Sequence, residues 1–309
     1  MLPQIIEIST PGRRIRLDRG FLKIACAEGE IGALPVDDIA ALITSTPAVS
    51  ITGQALAALA ERGAPIVLCG ERFAPTAYVL PATGHHAQGA RIEAQAAATL
   101  PMKKRLWAEI VKAKIKAQAE ALARVGGPDG RLRQLASEVR SGDPRNVEAT
   151  AAQYYWPQLM GEAFRRDRNA QGANAFLNYG YTVLRAAAAR AIVGAGLHPS
   201  LGLHHKSRGD GLRLADDLME PFRPVVDLVV KDLSVDGETE LSPENKRRLA
   251  ATLTFDYATD AGTSPLSTVM VRLAGSMAQV FLKEQRALAW PNPMLPLAET
   301  PDESETDAS

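Results

Sequence analysis

The chain has 309 residues, 46% of them hydrophobic, enough for one large or two ordinary domains with ample core. Two cysteines, Cys26 and Cys69, are too few for a disulfide framework and lack any zinc-binding spacing, which fits a reducing cytoplasm. No run reaches the roughly 20 apolar residues of a membrane span, and the N-terminus carries its charge after its apolar residues, unlike a signal peptide. The formal net charge is zero, yet it is unevenly spread. Five acids after Ala298 (Glu299, Asp302, Glu303, Glu305 and Asp307) stand with no base among them, so the rest of the chain is net basic. Residues 103–145 hold eleven Lys/Arg against five Asp/Glu, and local basic density is what phosphate contacts require. Lys103, Lys104, Lys112, Lys114 and Lys116 would equally well solvate a helix.

Residues 1–80 read as short strands. The runs at 5–8 and 14–17, separated by Thr10-Pro11-Gly12, suggest a hairpin-like pair, and 21–25 with 31–33 continue the pattern around Glu28-Gly29. Residues 37–43 suit a further strand, although their apolar pattern also permits a helix. Residues 53–62 form the one clear helix here, stopped by Gly63, and 66–69 a buried strand. No nucleophile or ligand set clusters in this region, so a scaffold or dimerisation module is expected. Residues 74–89 have a linker-like composition with Pro75, Pro81, Gly84 and Gly89. The adjacent His85 and His86 lack the carboxylate or cysteine companions of a metal site.

From residue 90 the pattern turns helical. Leu106, Ile110, Val111, Ala113 and Ala117 share one face, with lysines elsewhere. The glycines of 126–130 and Gly142-Asp143-Pro144 end successive helices, so they do not form a strand-to-helix phosphate loop. Residues 147–160 keep helical spacing, with Asn146 as a fair cap and Pro157 as an interruption. Glu148 falls in the first turn, where a carboxylate suits the helix dipole. Tyr154, Tyr155 and Trp156 fit core packing, although aromatic rings also stack on bases. A basic cluster, Arg165, Arg166 and Arg168, follows, and then a helix with Asn174 and Asn178 on one face. Alanine-dense 185–194 allows close helix packing. Residues 228–290 read as two or three further helices, with a start at Ser242-Pro243-Glu244 and a loop at 262–265. The acidic, Pro-containing 291–309 reads as a disordered tail.

Residues 196–227, GLHPSLGLHHKSRGDGLRLADDLMEPFRPVVD, concentrate polar chemistry between apolar segments. Burying such groups is costly unless they bind something. Gly202, Gly209 and Gly211 make a loop around His204 and His205, and a helix signal begins near Leu212. Asp216 and Asp217 lie four and three residues before Glu220, so each pair can share a face. Pro221 cannot donate to the carbonyl of Asp217 and should kink or tighten the helix there. Two or three carboxylates and a free carbonyl would then collect opposite the histidine loop. Against this, charged helix faces are usually just solvated.

LGLHH followed by LADDLMEPFRPVVD resembles the signature of CRISPR-associated protein one, the integrase of spacer acquisition, and VEATAAQYYWPQL and NAFLNYGYTVL match further upstream. The DLMEPFRP wording is most similar to members from systems with a single large RNA-guided nuclease. The resemblance implies an α+β fold in two domains: a small β-rich N-terminal dimerisation domain (1–80), a linker (81–89) and a larger, mostly α-helical catalytic domain (90–290). It implies Glu148, His205 and Glu220 as metal ligands and catalytic residues, selecting His205 over His204 and Glu220 over Asp217. Asp217 and Asn178 would support them from behind, and Lys206, Arg208, Arg165 and Arg166 would contact DNA. Two carboxylates and an imidazole suit Mn2+ and tolerate Mg2+. The implied reaction is attack by the 3′-hydroxyl of a short captured double-stranded DNA on a CRISPR repeat, performed by a homodimer with the smaller adaptation subunit, CRISPR-associated protein two. Two other readings stand beside it. One is a different metal-dependent phosphodiesterase using His204, His205, Asp216 and Asp217; the other is a non-catalytic helical DNA-binding or assembly protein.

Overall fold

The structure is a computed structural model that describes residues 4–70, 75–167, 169–205 and 211–297. The N-terminal part runs Gln4–Ile8 (β1), Arg13–Asp18 (β2), Phe21–Cys26 (β3), Gly29–Pro35 (β4), Ile39–Thr44 (β5), Val49–Ile51 (β6), Gly53–Glu61 (α1), Ile66–Cys69 (β7) and Pro75–Val79 (β8). It forms two four-stranded sheets, ordered β1-β5-β7-β8 and β4-β3-β2-β6. Every residue of β5 is buried, and such a strand needs partners on both edges. It takes β1 and β7, both in parallel.

That demand overturns the expected pairing of residues 5–8 with 14–17. β1 is recruited to β5, while β2 pairs antiparallel with β3 in the other sheet. The β3–β4 hairpin forms as expected. The linker-like residues 75–79 are also a strand: β8 pairs antiparallel with β7 at the sheet edge, where a starting proline removes no ladder bond the sheet needs. Thr52 caps α1 by accepting from the Ala55 amide, and Gly63 ends it at φ +70°.

The remainder is helical: Gln88–Ala96 (α2), Leu100–Arg124 (α3), Gly130–Glu138 (α4), Val147–Met160 (α5), Ala173–Gly194 (α6), Arg213–Met219 (α7), Arg223–Val235 (α8) and Pro243–Ala250 (α9). A small hairpin, Asp256–Thr259 (β9) and Gly262–Pro265 (β10), precedes Leu266–Phe281 (α10). The segment 262–265, expected as a loop, is thus a strand. Two long helices organise this part. α3 packs on α4, α5 and α8, and alanine-rich α6 packs on α7 to α10. At Gly180 the approach of α8 is so close that a Cβ would stand 2.4 Å from Val226 Cγ1.

Three further expectations change. Asn146 sits in the left-handed region and caps nothing; the Asp143 carboxylate instead accepts from the amides of Val147 and Glu148, at 2.9 and 3.0 Å. Pro157 does not interrupt α5, which runs through it to Gly161; the carbonyl that loses its donor belongs to Gln153, an exposed residue. Residues 291–297 are not a disordered tail. Met294 and Leu295 are buried, the Leu295 amide donates to Glu120, and the Leu297 amide donates to the Asp256 carbonyl. Residues 298–309 lie outside the described residues. Among the described residues no helix is long and apolar enough to cross a membrane.

Candidate active site

The site lies where α3, α5, α7 and α8 meet. Pro221 has the expected effect: the chain tightens into a 3-10 turn over Glu220–Phe222 before α8 begins. That turn buries Glu220, whose side chain is 5% exposed, and aims it at α3. There the Lys114 ammonium stands 2.6 Å from Glu220 Oε2 and donates to Glu148 Oε1, also at 2.6 Å. The Glu220 contact is an ion pair outside hydrogen-bonding angles. On the other oxygen, Arg223 approaches Glu220 Oε1 at 2.9 Å. Burial alone would raise the pKa of Glu220, but Arg223 and Lys114 outweigh it and hold the carboxyl at about 2. Burial likewise opposes the charge on Lys114, and Glu220 and Glu148 overcome it, leaving its pKa raised.

His205 is positioned from behind. Asp217 has no side-chain exposure and receives His205 Nδ1 at 2.7 Å. It also accepts from the amides of Leu203, His204 and His205. The hydrogen bond to Asp217 raises the pKa of His205 against the effect of its burial. With Nδ1 donating to a carboxylate, Nε2 is the nitrogen left for a ligand, the arrangement by which carboxylates orient metal-binding imidazoles. Gly202 is required by this loop, since a Cβ there would meet Arg213 Cβ at 2.9 Å and Asp217 Oδ2 at 3.0 Å.

Asp216 does not join the other carboxylates. Arg185 of α6 binds it twice, at 2.7 and 2.9 Å, and also donates to the Tyr78 hydroxyl of β8. His204 turns away as well, stacking on Trp107 at 4.2 Å with a 3° interplanar angle. The expected gathering of Asp216, Asp217 and Glu220 therefore does not form: Asp216 turns to Arg185, Asp217 holds His205, and Glu220 meets Glu148 of α5 across Lys114 instead. The reading in which His204, His205, Asp216 and Asp217 share one ion loses its geometry.

Asn178 lies further back. Arg166 bridges Asn174 Oδ1 and Asn178 Oδ1, at 2.9 and 2.7 Å, with its guanidinium 5.6 Å from the Tyr181 ring. Arg223 lies 4.6 Å from the same ring, so Arg166, Tyr181 and Arg223 link Asn178 to Glu220. Arg165 is exposed and donates to the carbonyls of Glu162 and Phe164. Lys206 and Arg208, expected at DNA, lie outside the described residues, as does Arg168.

Behind Arg223 the hydroxyls of Tyr155 and Tyr181 both donate to buried Asp227, and burial pushes its carboxyl up to about 7 against those donors. Lys114, Arg223 and Asp227 were not singled out from the sequence. For Lys114 a signal existed: Ile110, Lys114, Ala117 and Ala121 lie four, three and four residues apart, so the lysine sits on the apolar stripe of α3.

The donor set is chemically suited to a divalent cation. Two carboxylates from separate elements already share one positive centre, and the oriented imidazole of His205 interacts electrostatically with one of them, Glu220. Among the described residues no three acidic, His or Cys side chains are gathered to hold an ion as they stand; the ammonium of Lys114 occupies the point on which Glu148 and Glu220 converge.

Residues 6–254 match the family described as CRISPR associated protein Cas1. The chain is 40% identical over 293 residues to a "CRISPR-associated endonuclease Cas1" of Neisseria meningitidis serogroup C (strain 8013), spanning 93% of this chain and 95% of that protein. Its fold matches a casposase bound to integration product with a TM-score of 0.79 at 22% identity, over 98% of this chain and 97% of that one. It also matches a chain of a Cas6-RT-Cas1–Cas2 complex with a TM-score of 0.72 at 17% identity, over 94% of this chain and 36% of that larger one. A β-rich N-terminal region followed by a helical part is thus an α+β fold shared with these proteins. The chain belongs to the Cas1 family.

Proposed function

We propose that this protein is a divalent-metal-dependent DNA integrase and endonuclease that joins short captured DNA to a CRISPR repeat. The observation that carries this reading is the convergence of Glu148 and Glu220 on one cation position, 2.6 Å from each, with the Asp217-oriented His205 in electrostatic contact with Glu220. Glu148, Glu220 and His205 Nε2 would hold Mn2+ or Mg2+. Such an ion, when bound, offsets the negative charge of a phosphodiester and eases departure of the leaving alkoxide.

The chain's own residues do the rest. Asp217 fixes the His205 tautomer and ring direction. Arg223 neutralises the second oxygen of Glu220, so that this carboxylate stays ionised although buried. The Asp227, Tyr155 and Tyr181 cluster stands behind Arg223 on α8. Lys206, Arg208 and Arg165 would contact flanking phosphates, whereas Arg166 is engaged by Asn174 and Asn178. The nucleophile in this reading is a DNA 3′-hydroxyl, or water for cleavage. Double-stranded DNA, a second copy of the chain and the smaller adaptation subunit are the partners that fit, in keeping with relatives described in complexes with Cas2 and with integration product.

The test is strand transfer into a supercoiled plasmid carrying a leader and repeat, with short duplex DNA, Mn2+ or Mg2+ and the smaller subunit. Joining by the wild type and not by His205→Ala is expected. No joining by folded, partner-bound wild type under either metal would refute the reading.

A further inference from the structure

Five lysines lie on α3, and one of them has an unusual setting. All five, Lys114 included, were expected to solvate the helix, and Lys116 is indeed exposed. Lys114 is instead 13% exposed and spends its ammonium on two carboxylates, Glu148 of α5 and Glu220 of the 3-10 turn. These acids are themselves 23% and 5% exposed. Two carboxylates that both lie within 2.6 Å of one nitrogen repel each other strongly unless a cation stands between them. In the chain by itself that cation is a lysine.

The same oxygens cannot serve an ammonium and a divalent ion at one point. Lys114 has a flexible four-carbon stem, so its head can leave the carboxylates while its backbone stays in α3. We propose that Lys114 is the resident counter-ion of the Glu148–Glu220 pair, displaced when a divalent cation loads, so that this lysine sets the metal concentration at which the site fills. The inference rests on the metal-site reading above and adds to it a residue that competes with the metal and is not itself a ligand. It makes Lys114 a positioning residue. Without metal it keeps α5 and the 3-10 turn together, and with metal it must give way.

A protein whose binding-competent state is a minor fraction has its apparent affinity reduced by that fraction. Removing Lys114 should therefore tighten metal binding, the opposite of what loss of a supporting residue does. The experiment titrates Mn2+ into the full-length protein in the absence of DNA and follows free Mn2+ by electron paramagnetic resonance. It compares wild type, Lys114→Met, Lys114→Gln and Lys116→Met. The Lys114 variants should bind Mn2+ about tenfold more tightly or better, while Lys116→Met, which loses the same charge from the exposed face, should bind like wild type. Thermal unfolding gives the second readout. In chelator the Lys114 variants should melt below wild type, and Mn2+ should raise their Tm by more than it raises that of wild type.

The glutamine variant keeps a donor for one carboxylate and serves if methionine does not fold. Unchanged or weaker Mn2+ binding in the Lys114 variants, with wild type binding normally, overturns the competition and leaves the metal reading intact. A Tm deficit equal in chelator and in Mn2+ overturns it too, because it marks a packing role. Failure of wild type and variants alike to take up Mn2+ overturns both readings.

Discussion

Asp217 receives the Nδ1 of His205 at 2.7 Å although its own side chain has no contact with solvent. A buried carboxylate is sustained only by donors, and this one also holds the amides of Leu203, His204 and His205. One side chain therefore both shapes the histidine loop and aims the ring. Asp217→Asn keeps the volume but turns one acceptor into a donor that faces other donors. Strand transfer should fall about 10- to 100-fold, the usual effect of losing such a partner. Amide exchange in residues 203–205 should quicken with it. Normal exchange in that loop together with normal joining would refute this role.

The two histidines separate by what each ring touches. His204 lies flat on Trp107, whereas His205 faces Asp217. His204→Ala removes a stacking contact worth about 0.5–1.5 kcal/mol and should lower Tm slightly while joining persists. His205→Ala should abolish joining and also lower Tm, because buried Asp217 loses one of its donors. Equal loss of joining in both would return the two rings to one shared site.

What was legible in the sequence follows from the range of the forces involved. The periodicity of α3, the stop at Gly63, the β3–β4 hairpin and the tightening at Pro221 are set within a few residues, and each could be read from them. The recruitment of β1 to β5 could not, because it depends on what a fully buried strand takes as its neighbours. In the site, the separation of His205 from His204 and of Glu220 from Asp217 came through family likeness, and the structure gives each a different contact. The pairing of Asp216 with Arg185 joins α7 to α6 and β8, a tertiary relation that spacing does not encode. Lys114 was legible in principle as a lysine on an apolar stripe, but a stripe does not say which charges will oppose it.

The closeness of α6 and α8 makes Gly180 a packing test. Its missing Cβ would stand 2.4 Å from Val226 Cγ1 and 3.3 Å from Cγ2, both on a buried side chain with little room to shift. Gly180→Ala should cost about 1–3 kcal/mol through overpacking, read from urea unfolding. Adding Val226→Ala should recover part of that loss, since it vacates the clashing position. A double variant no more stable than Gly180→Ala alone would show that the contact does not limit this interface.

Asp227 supplies a pH dependence that its own variant can isolate. Burial pushes its folded pKa up to about 7 from the ordinary 3.8, despite the Tyr181 and Tyr155 hydroxyls that donate to it. Below pH 4 both folded and unfolded chains hold the proton, and the contribution of the neutral carboxyl is fully present. As pH rises towards 7 the unfolded chain releases its proton while the folded chain retains it, so ionisation draws the equilibrium towards unfolding. The stability lost over that window is up to about 4 kcal/mol, and above pH 7 both states are ionised and the loss levels off. Asp227→Asn cannot titrate, so subtracting its unfolding free energy from that of wild type cancels the other groups. That difference should fall steadily from pH 4 to pH 7 and then become flat. A difference that rises with pH would mean that the two hydroxyls and Arg223 hold Asp227 ionised inside the fold, and would reverse the assignment.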